Sequence, residues 1–284
     1  MNHRDDDPVR VDRRAVLALL AATGAGGLAT ADESDDGPCN NLLWALAWKQ
    51  TAAEYFALCH QAFNLARLRV DAALAARVES ERPLAVITDV DDTILHARSY
   101  WGYLVSRGMD FFDDALWDEW LPDNDVTAAP GALAFLEHCR ANGVEVFYVT
   151  SRDQGERTFE YALAQLVHLG FPYADADHLR VFRDSSDKTP ARHEVEGRFT
   201  VAVTLGDNLN DYRRDYYVTD VDERMALMER DREHWGDDFV LLPNPTDGHW
   251  VRAIFGESEP AATPANRRKL YEAATRMAWR RDGA

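Results

Sequence analysis

The chain has 284 residues, 46% of them hydrophobic, which is enough for one sizeable domain with a real core. Its formal charge of −18 comes from 32 Asp and 17 Glu against 28 Arg and only 3 Lys. Such a surface repels nucleic-acid polymers and anionic membranes, and it is expected of a salt-adapted protein whose self-repulsion is screened by high salt. An ordinary acidic protein is the alternative, and a melting temperature that rises between low and molar salt separates the two.

From the start of the chain, Arg13-Arg14, an apolar Ala/Gly-rich run from Ala15 to Leu28 and the triplet Ala29-Thr30-Ala31 read as a twin-arginine-type export signal over residues 1–31. An uncleaved anchor or a chance apolar helix are the alternatives. The run is short for a membrane span, so no stable span is expected after processing. No cysteine adjoins the Ala-x-Ala site, which argues against a lipid anchor; Cys39 comes too late. The three cysteines, Cys39, Cys59 and Cys139, have no zinc-type or disulfide-framework spacing, and Cys59 and Cys139 fit core positions; a single bridge stays open.

A polar linker at 32–41 leads to Asn40-Asn41, which is placed to cap a helical region over 42–82, running from Leu42 to about Glu79. Its apolar stripe includes Leu42, Leu46, Tyr55, Cys59, Ala62, Phe63, Ala66 and Val70. Pro83 marks a boundary, and the core is expected over 83–255. Its first strand is Leu84-Ala-Val-Ile-Thr, which runs straight into Asp89-Val-Asp91-Asp92-Thr93. About 35 residues that break the repeat follow, a cap insertion at 97–129 rich in aromatics: Tyr100, Trp101, Tyr103, Phe111, Phe112, Trp117 and Trp120. Most of these rings are expected to be the core of the cap; that one of them stacks on a substrate base is the alternative.

Beyond it the chain alternates. A helix opens at Ala129-Pro130-Gly131 and closes at Asn142-Gly143, a left-handed cap signal. Val144–Val149 is a buried strand ending at Thr150-Ser151-Arg152, a helix spans about Glu156 to Leu169, and strands follow at Leu179–Phe182 and Thr200–Leu205, the last ending at Gly206-Asp207. Strands separated by helices of this length imply right-handed crossovers, so the fold class is α/β, a doubly wound parallel sheet with an N-terminal helical region, a small aromatic-rich cap and a C-terminal tail and helix at 256–284.

In such a sheet ligands bind beyond the carboxyl ends of the strands. Asp89, Asp91, Thr150 and Asp207 are placed there, with Lys188 in the loop Asp184–Thr189. Lys188 stands out because the chain has replaced nearly every lysine by arginine. Taken singly, the Asp cluster also fits a solvated turn; the convergence of the other termini argues for chemistry. Crowded carboxylates need a cation, and hard oxygen donors suit Mg2+. A carboxylate nucleophile two residues from a second carboxylate splits phosphoester hydrolysis into two displacements through an aspartyl-phosphate. Asp89 is the expected nucleophile and Asp91 the general acid and base. Mg2+ is assigned to Asp89, Asp91 through its backbone carbonyl, and Asp207, with Asp211 behind as orienter of the metal shell. Thr150, Ser151 and Lys188 are assigned to the phosphate oxygens. As an EF-hand loop from Asp89 the spacing fails, since position six is Ile94 and position twelve Tyr100. Walker, Gly-x-Ser-x-Gly and His-Glu-x-x-His patterns are absent from the sequence, and His96 is expected to be structural.

At these residues the chain resembles the haloacid dehalogenase superfamily, whose four motifs match Asp89-Val-Asp91-Asp92-Thr93, Thr150, Lys188 and Gly206-Asp207-Asn208-Leu209-Asn210-Asp211. Over about residues 42–255 it is similar to the class C acid phosphatases, the secreted or outer-membrane 5′-nucleotidase lipoprotein family. That similarity rests on Gln50–Tyr55, Gln61–Asn64, Pro130-Gly131, Phe147–Arg152, Leu169–Pro172, Leu242–Pro245 and Trp250. The resemblance implies a Mg2+-dependent phosphomonoesterase with acid-leaning activity on 5′-nucleotides and other small esters outside the cytoplasm. The chain departs from the family at His96–Tyr103 and in lacking the lipobox. A phosphotransferase of the same superfamily and a non-catalytic cell-surface protein that kept the fold are the alternatives.

Overall fold

A computed structural model describes residues 40–78 and 82–279. The signal read at 1–31, most of the linker at 32–41 with Cys39, the expected helix end at Glu79 and the final residues of the tail lie outside the described residues. Among those described, no helix is long and apolar enough to cross a membrane.

The N-terminal helical region expected from Leu42 is there, and it consists of two helices, α1 (Leu43–Thr51) and α2 (Ala53–Ala76), parted at Ala52, whose backbone is extended at φ −78°, ψ 122°. Tertiary packing overrides the local stripe. Leu42 and Leu46 pack with Tyr100, Trp101 and Leu104 of the insertion, whereas Ala62, Phe63, Ala66 and Val70 pack on the sheet. One straight helix cannot face both cores. The N-cap position of α1 is Leu42 and carries no side-chain cap; Asn40 instead ties the approach to the helix, its Oδ1 accepting from the Leu42 N–H at 2.7 Å while its Nδ2 donates to the Met109 carbonyl.

Strand β1 (Leu84–Thr88) is buried throughout, as a central parallel strand must be. The insertion after it is bracketed by the antiparallel pair β2 (Leu95–His96) and β3 (Thr127–Ala128) and folds as α3 (Arg98–Ser106), α4 (Asp114–Trp120) and a 3-10 turn at Leu121–Asp123. The core continues as α5 (Ala132–Ala141), β4 (Glu145–Ser151), α6 (Thr158–His168), β5 (Leu179–Phe182), α7 (Thr189–Arg198), β6 (Thr200–Gly206), α8 (Val221–Arg230), β7 (Phe239–Leu241), α9 (His249–Phe255) and α10 (Pro264–Ala274). Gly143 takes the left-handed cap at φ 67° that its place after Asn142 calls for.

The five main strands form one parallel sheet in the order β5-β4-β1-β6-β7, with β1 central between β4 and β6. Alternation along the strands sorts the two faces. Val86, Val146 and Tyr148 meet α2, α5 and α6 on one side, while Ala85, Ile87, Phe147 and Val149 meet Ala191 and Val195 of α7 on the other. Asp89, Thr150 and Asp207 are thereby delivered to the same edge.

Candidate active site

A cleft of about 600 Å³ opens at this carboxyl edge, with Asp89, Asp91, Asp207 and Lys188 on its floor and Trp101 and Phe112 of the cap on its wall. Asp89 follows β1 directly; its N–H bonds the Leu205 carbonyl of the neighbouring strand at 2.9 Å, which anchors the backbone. The Thr93 hydroxyl lies 2.8 Å from Asp89 Oδ2 and 3.0 Å from Asp207 Oδ1 and so bridges the two acids. Asp92 turns the chain in left-handed backbone at φ 56°.

Lys188, just before α7, is buried and places its ammonium between two carboxylates, bonding Asp89 Oδ1 and, at 2.7 Å, Asp211 Oδ1. Burial alone disfavours a charged lysine, yet Asp211 and Asp89 more than offset this and hold its pKa above the ordinary value. Gly206 makes the geometry possible. A Cβ there would stand 2.5 Å from the Asp211 Cβ, so only glycine lets the acid fold back under the strand end, where Asp211 Oδ2 accepts the Asn208 N–H at 3.0 Å.

One oxygen from each of Asp89, Asp207 and Asp211 lies within 4.8 Å of the other two. Burial, then the Asp211, Asp89 and Asp92 charges, push the Asp207 carboxyl well above the usual range, and burial raises Asp211 to about 6 against the pull of Lys188. Such crowding is what a cation relieves. The three acids share one buried ammonium, Lys188, which pairs with Asp89 and Asp211, so acid outnumbers cation in this cluster. An all-oxygen donor set with that excess of acid fits a hard divalent ion.

Asp91 stands apart from this cluster. Arg152, the residue after β4, clamps it with a fork, Nε to Oδ2 and Nη2 to Oδ1 both at 2.6 Å, and Thr150 donates to Oδ2 at 3.1 Å. The third arm of the guanidinium donates to Gln165 Oε1 of α6 at 2.6 Å. Burial raises the Asp91 pKa, and Arg152 works in the opposite direction. Its carboxylate is thus held by Arg152 and lies outside the group of Asp89, Asp207 and Asp211 that could share a cation, while still opening to the cleft. The Ser151 hydroxyl, on the cleft wall, has no hydrogen-bond partner among the described residues.

Several residues here were not assigned roles from the sequence. Lys49 of α1 reaches Asp92 Oδ1 at 2.7 Å and is 1% exposed; the scarcity argument used for Lys188 would have found it too. Arg152 lies in the Thr150-Ser-Arg run, and Asn244 in the Leu242–Pro245 stretch. His249 lines the cleft with its Nδ1 2.9 Å from the Asn208 amide nitrogen, and burial drops its pKa to about 3. His96 is buried 3.0 Å from the Tyr55 hydroxyl, with its pKa likewise lowered to about 3 by burial, as a structural histidine would be. Of the cap aromatics, Tyr100, Trp101 and Trp117 are buried in the cap core; Phe112 is half-buried on the cleft wall.

A parallel α/β sheet that gathers an Asp-x-Asp pair, a threonine, a lysine and a Gly-Asp turn at one edge defines a phosphoryl-transfer enzyme of the haloacid dehalogenase type. Residues 35–250 match the HAD superfamily, subfamily IIIB (acid phosphatase), and the chain belongs to this family of phosphomonoester hydrolases. Among solved structures it is similar to the class C acid phosphatase from Bacillus anthracis with tungstate bound, at 26% identity and a TM-score of 0.74, covering 81% of this chain and 94% of that one. A second structure of the class C acid phosphatase from Bacillus anthracis matches at 26% identity and a TM-score of 0.74, over 84% of this chain and 97% of the other.

Proposed function

We propose that the chain is an exported, Mg2+-dependent acid phosphatase that hydrolyses small phosphomonoesters, 5′-nucleotides among them, through an aspartyl-phosphate on Asp89. The observation that carries this reading is the Asp89 carboxylate set between the Lys188 ammonium and the Asp207 and Asp211 acids on the cleft floor.

In the first step an Asp89 oxygen bonds to phosphorus as the ester P–O bond breaks, and Asp91 gives its proton to the departing alkoxide. In the second, Asp91 takes a proton from water as the water oxygen bonds to phosphorus and the Asp89–phosphorus bond breaks, releasing inorganic phosphate. Lys188, Thr150 and Ser151 donate to the phosphoryl oxygens as charge spreads over them. Asp89, the Asp91 carbonyl and Asp207 would hold Mg2+, and Asp211, assigned from the sequence to the shell behind, stands within reach of the same ion. Bound there, the ion supplies charge neutralisation at the phosphoryl oxygens.

Phe112 supports the nucleotide preference, being the least buried of the cleft's cap rings. Export rests on Arg13-Arg14 and the apolar run after it. A panel of phosphomonoesters assayed with Mg2+ and with chelator, in molar salt, tests the reading. Metal-dependent phosphate release with 5′-nucleotides among the better substrates is expected; release indifferent to chelator, or none from any ester, would overturn it.

A further inference from the structure

Asn244 itself has no part in the steps above, yet its side-chain amide is fully committed. Its Oδ1 accepts from Lys49 Nζ at 3.2 Å, from the Thr246 hydroxyl at 2.8 Å, and from the Thr246 and Asp247 N–H groups at 3.2 and 3.3 Å. With the carbonyl end held this way, the nitrogen end must face the acids: Nδ2 donates to Asp207 Oδ2 at 2.7 Å and to Asp92 Oδ2 at 3.2 Å. An amide turned the other way would set its oxygen against two carboxylates and its nitrogen against an ammonium, so the network admits one orientation.

The ammonium that fixes this orientation is itself unusual. Lys49 is 1% exposed, and its charge is balanced by the Asp92 carboxylate at 2.7 Å, while its hydrogen bonds go to Asn244 and, at 3.0 Å, to Thr246. Three distant segments meet here: α1, the turn after β1, and the loop after β7. The consequence falls on Asp207. One of its oxygens is tied to Asn244 and the other faces Thr93, so the carboxylate cannot rotate freely.

We infer that Asn244 is a positioning residue for the divalent-cation site, holding Asp207 in its ligating orientation, with Lys49 and the backbone N–H groups of Thr246 and Asp247 setting the direction of its amide. The inference rests on the metal-dependent reading above. Hydrogen bonds to ligating carboxylates are worth about ten- to a hundredfold in metal affinity or activity, and no charge is lost when Asn244 is replaced.

The test is binding of Mn2+ to the full chain, followed by electron paramagnetic resonance, with a thermal melt alongside. Asn244→Leu is expected to weaken Mn2+ binding at least tenfold. Thr246→Val, which loosens the same loop without touching either acid, is expected to lower the melting temperature while moving Mn2+ affinity less than threefold. Unchanged affinity in a folded Asn244→Leu variant, or equal weakening in both variants, would overturn the inference, since the loop and not the amide would then matter. Should Asn244→Leu fail to fold, Asn244→Ser removes the amide with less apolar bulk and carries the same expectation. If the wild-type chain itself binds no Mn2+, the metal-dependent reading falls with it; wild-type binding with an unmoved variant sinks the Asn244 inference alone.

Discussion

Replacing Arg152 by methionine separates the clamp on Asp91 from the rest of the site. The guanidinium is 2% exposed and gives two charge-assisted bonds of 2.6 Å to Asp91 and a third to Gln165. Bonds to charged partners contribute about 1.5–3 kcal/mol each. Because the Asp91 side chain is 29% exposed and regains water, the low end applies, and a stability loss of about 3 kcal/mol is expected for the pair. The catalytic effect has a different signature. A displaced proton donor costs on the order of a hundredfold, but only where the leaving group needs a proton. An alkyl phosphate should therefore lose about a hundredfold in kcat, while p-nitrophenyl phosphate, whose phenolate leaves unprotonated, should lose far less.

The pH profile has a definite sign as well. Arg152 opposes the upward shift that burial imposes on Asp91, so without it the carboxyl stays protonated to higher pH. The basic limb of kcat for the alkyl ester should move upward in pH. The measurements are kcat and KM for both esters at saturating Mg2+, with circular dichroism to verify the fold. An equal fall on both esters, or a change confined to KM, would show that Arg152 acts on the phosphate and not through Asp91.

Other variants probe other parts of the same network. Lys49→Met leaves the buried Asp92 charge unmatched and should cost about 3–5 kcal/mol in denaturant unfolding, and Asp92→Asn in the same chain should recover part of that; additivity of the two would contradict the pairing. Gly206→Ala drives a methyl group into Asp211, with an expected loss of about 1–3 kcal/mol and of activity; a fully active variant would show that Asp211 has room to move. Burial lifts the Asp247 carboxyl to about 6, so the folded state loses stability as pH rises from the ordinary carboxylate range through 6. Asp247→Asn should then stabilise the protein by about 1–2 kcal/mol at pH 7.5, after discounting for partial exposure, and by nothing below pH 4; equal melting shifts at both pH values would contradict that shift.

The parts of the fold that can be read from sequence are those where local pattern and tertiary role coincide. Leu84–Thr88 is apolar on both faces because both faces are covered, and it stops where the chain must meet a ligand, so strand, edge and chemistry are visible together. Gly143 and Gly170 mark helix ends because the left-handed conformation there needs them. Ala52 carries no such mark. The turn between α1 and α2 arises because two cores pull one stripe in different directions, and alanine neither demands nor resists it. Strand β7 has three residues, Phe239–Leu241, too few to show a period. Within the site, residues that end strands are legible, whereas the clamps are not: Arg152, Lys49 and Asn244 act through partners 61, 43 and 37 positions away, and only the folded chain brings them together. The cap rings look like a stacking platform by composition, yet Tyr100, Trp101 and Trp117 are spent on one another and on Leu42 and Leu46.

Where the phosphoryl group resides during turnover decides the matter. Wild-type chain mixed with a radiolabelled phosphomonoester and Mg2+, quenched in acid during steady turnover and digested, should carry its label on the peptide containing Asp89, and Asp89→Asn should carry none. Label on any other residue, or hydrolysis proceeding in Asp89→Asn, would contradict the covalent route through Asp89.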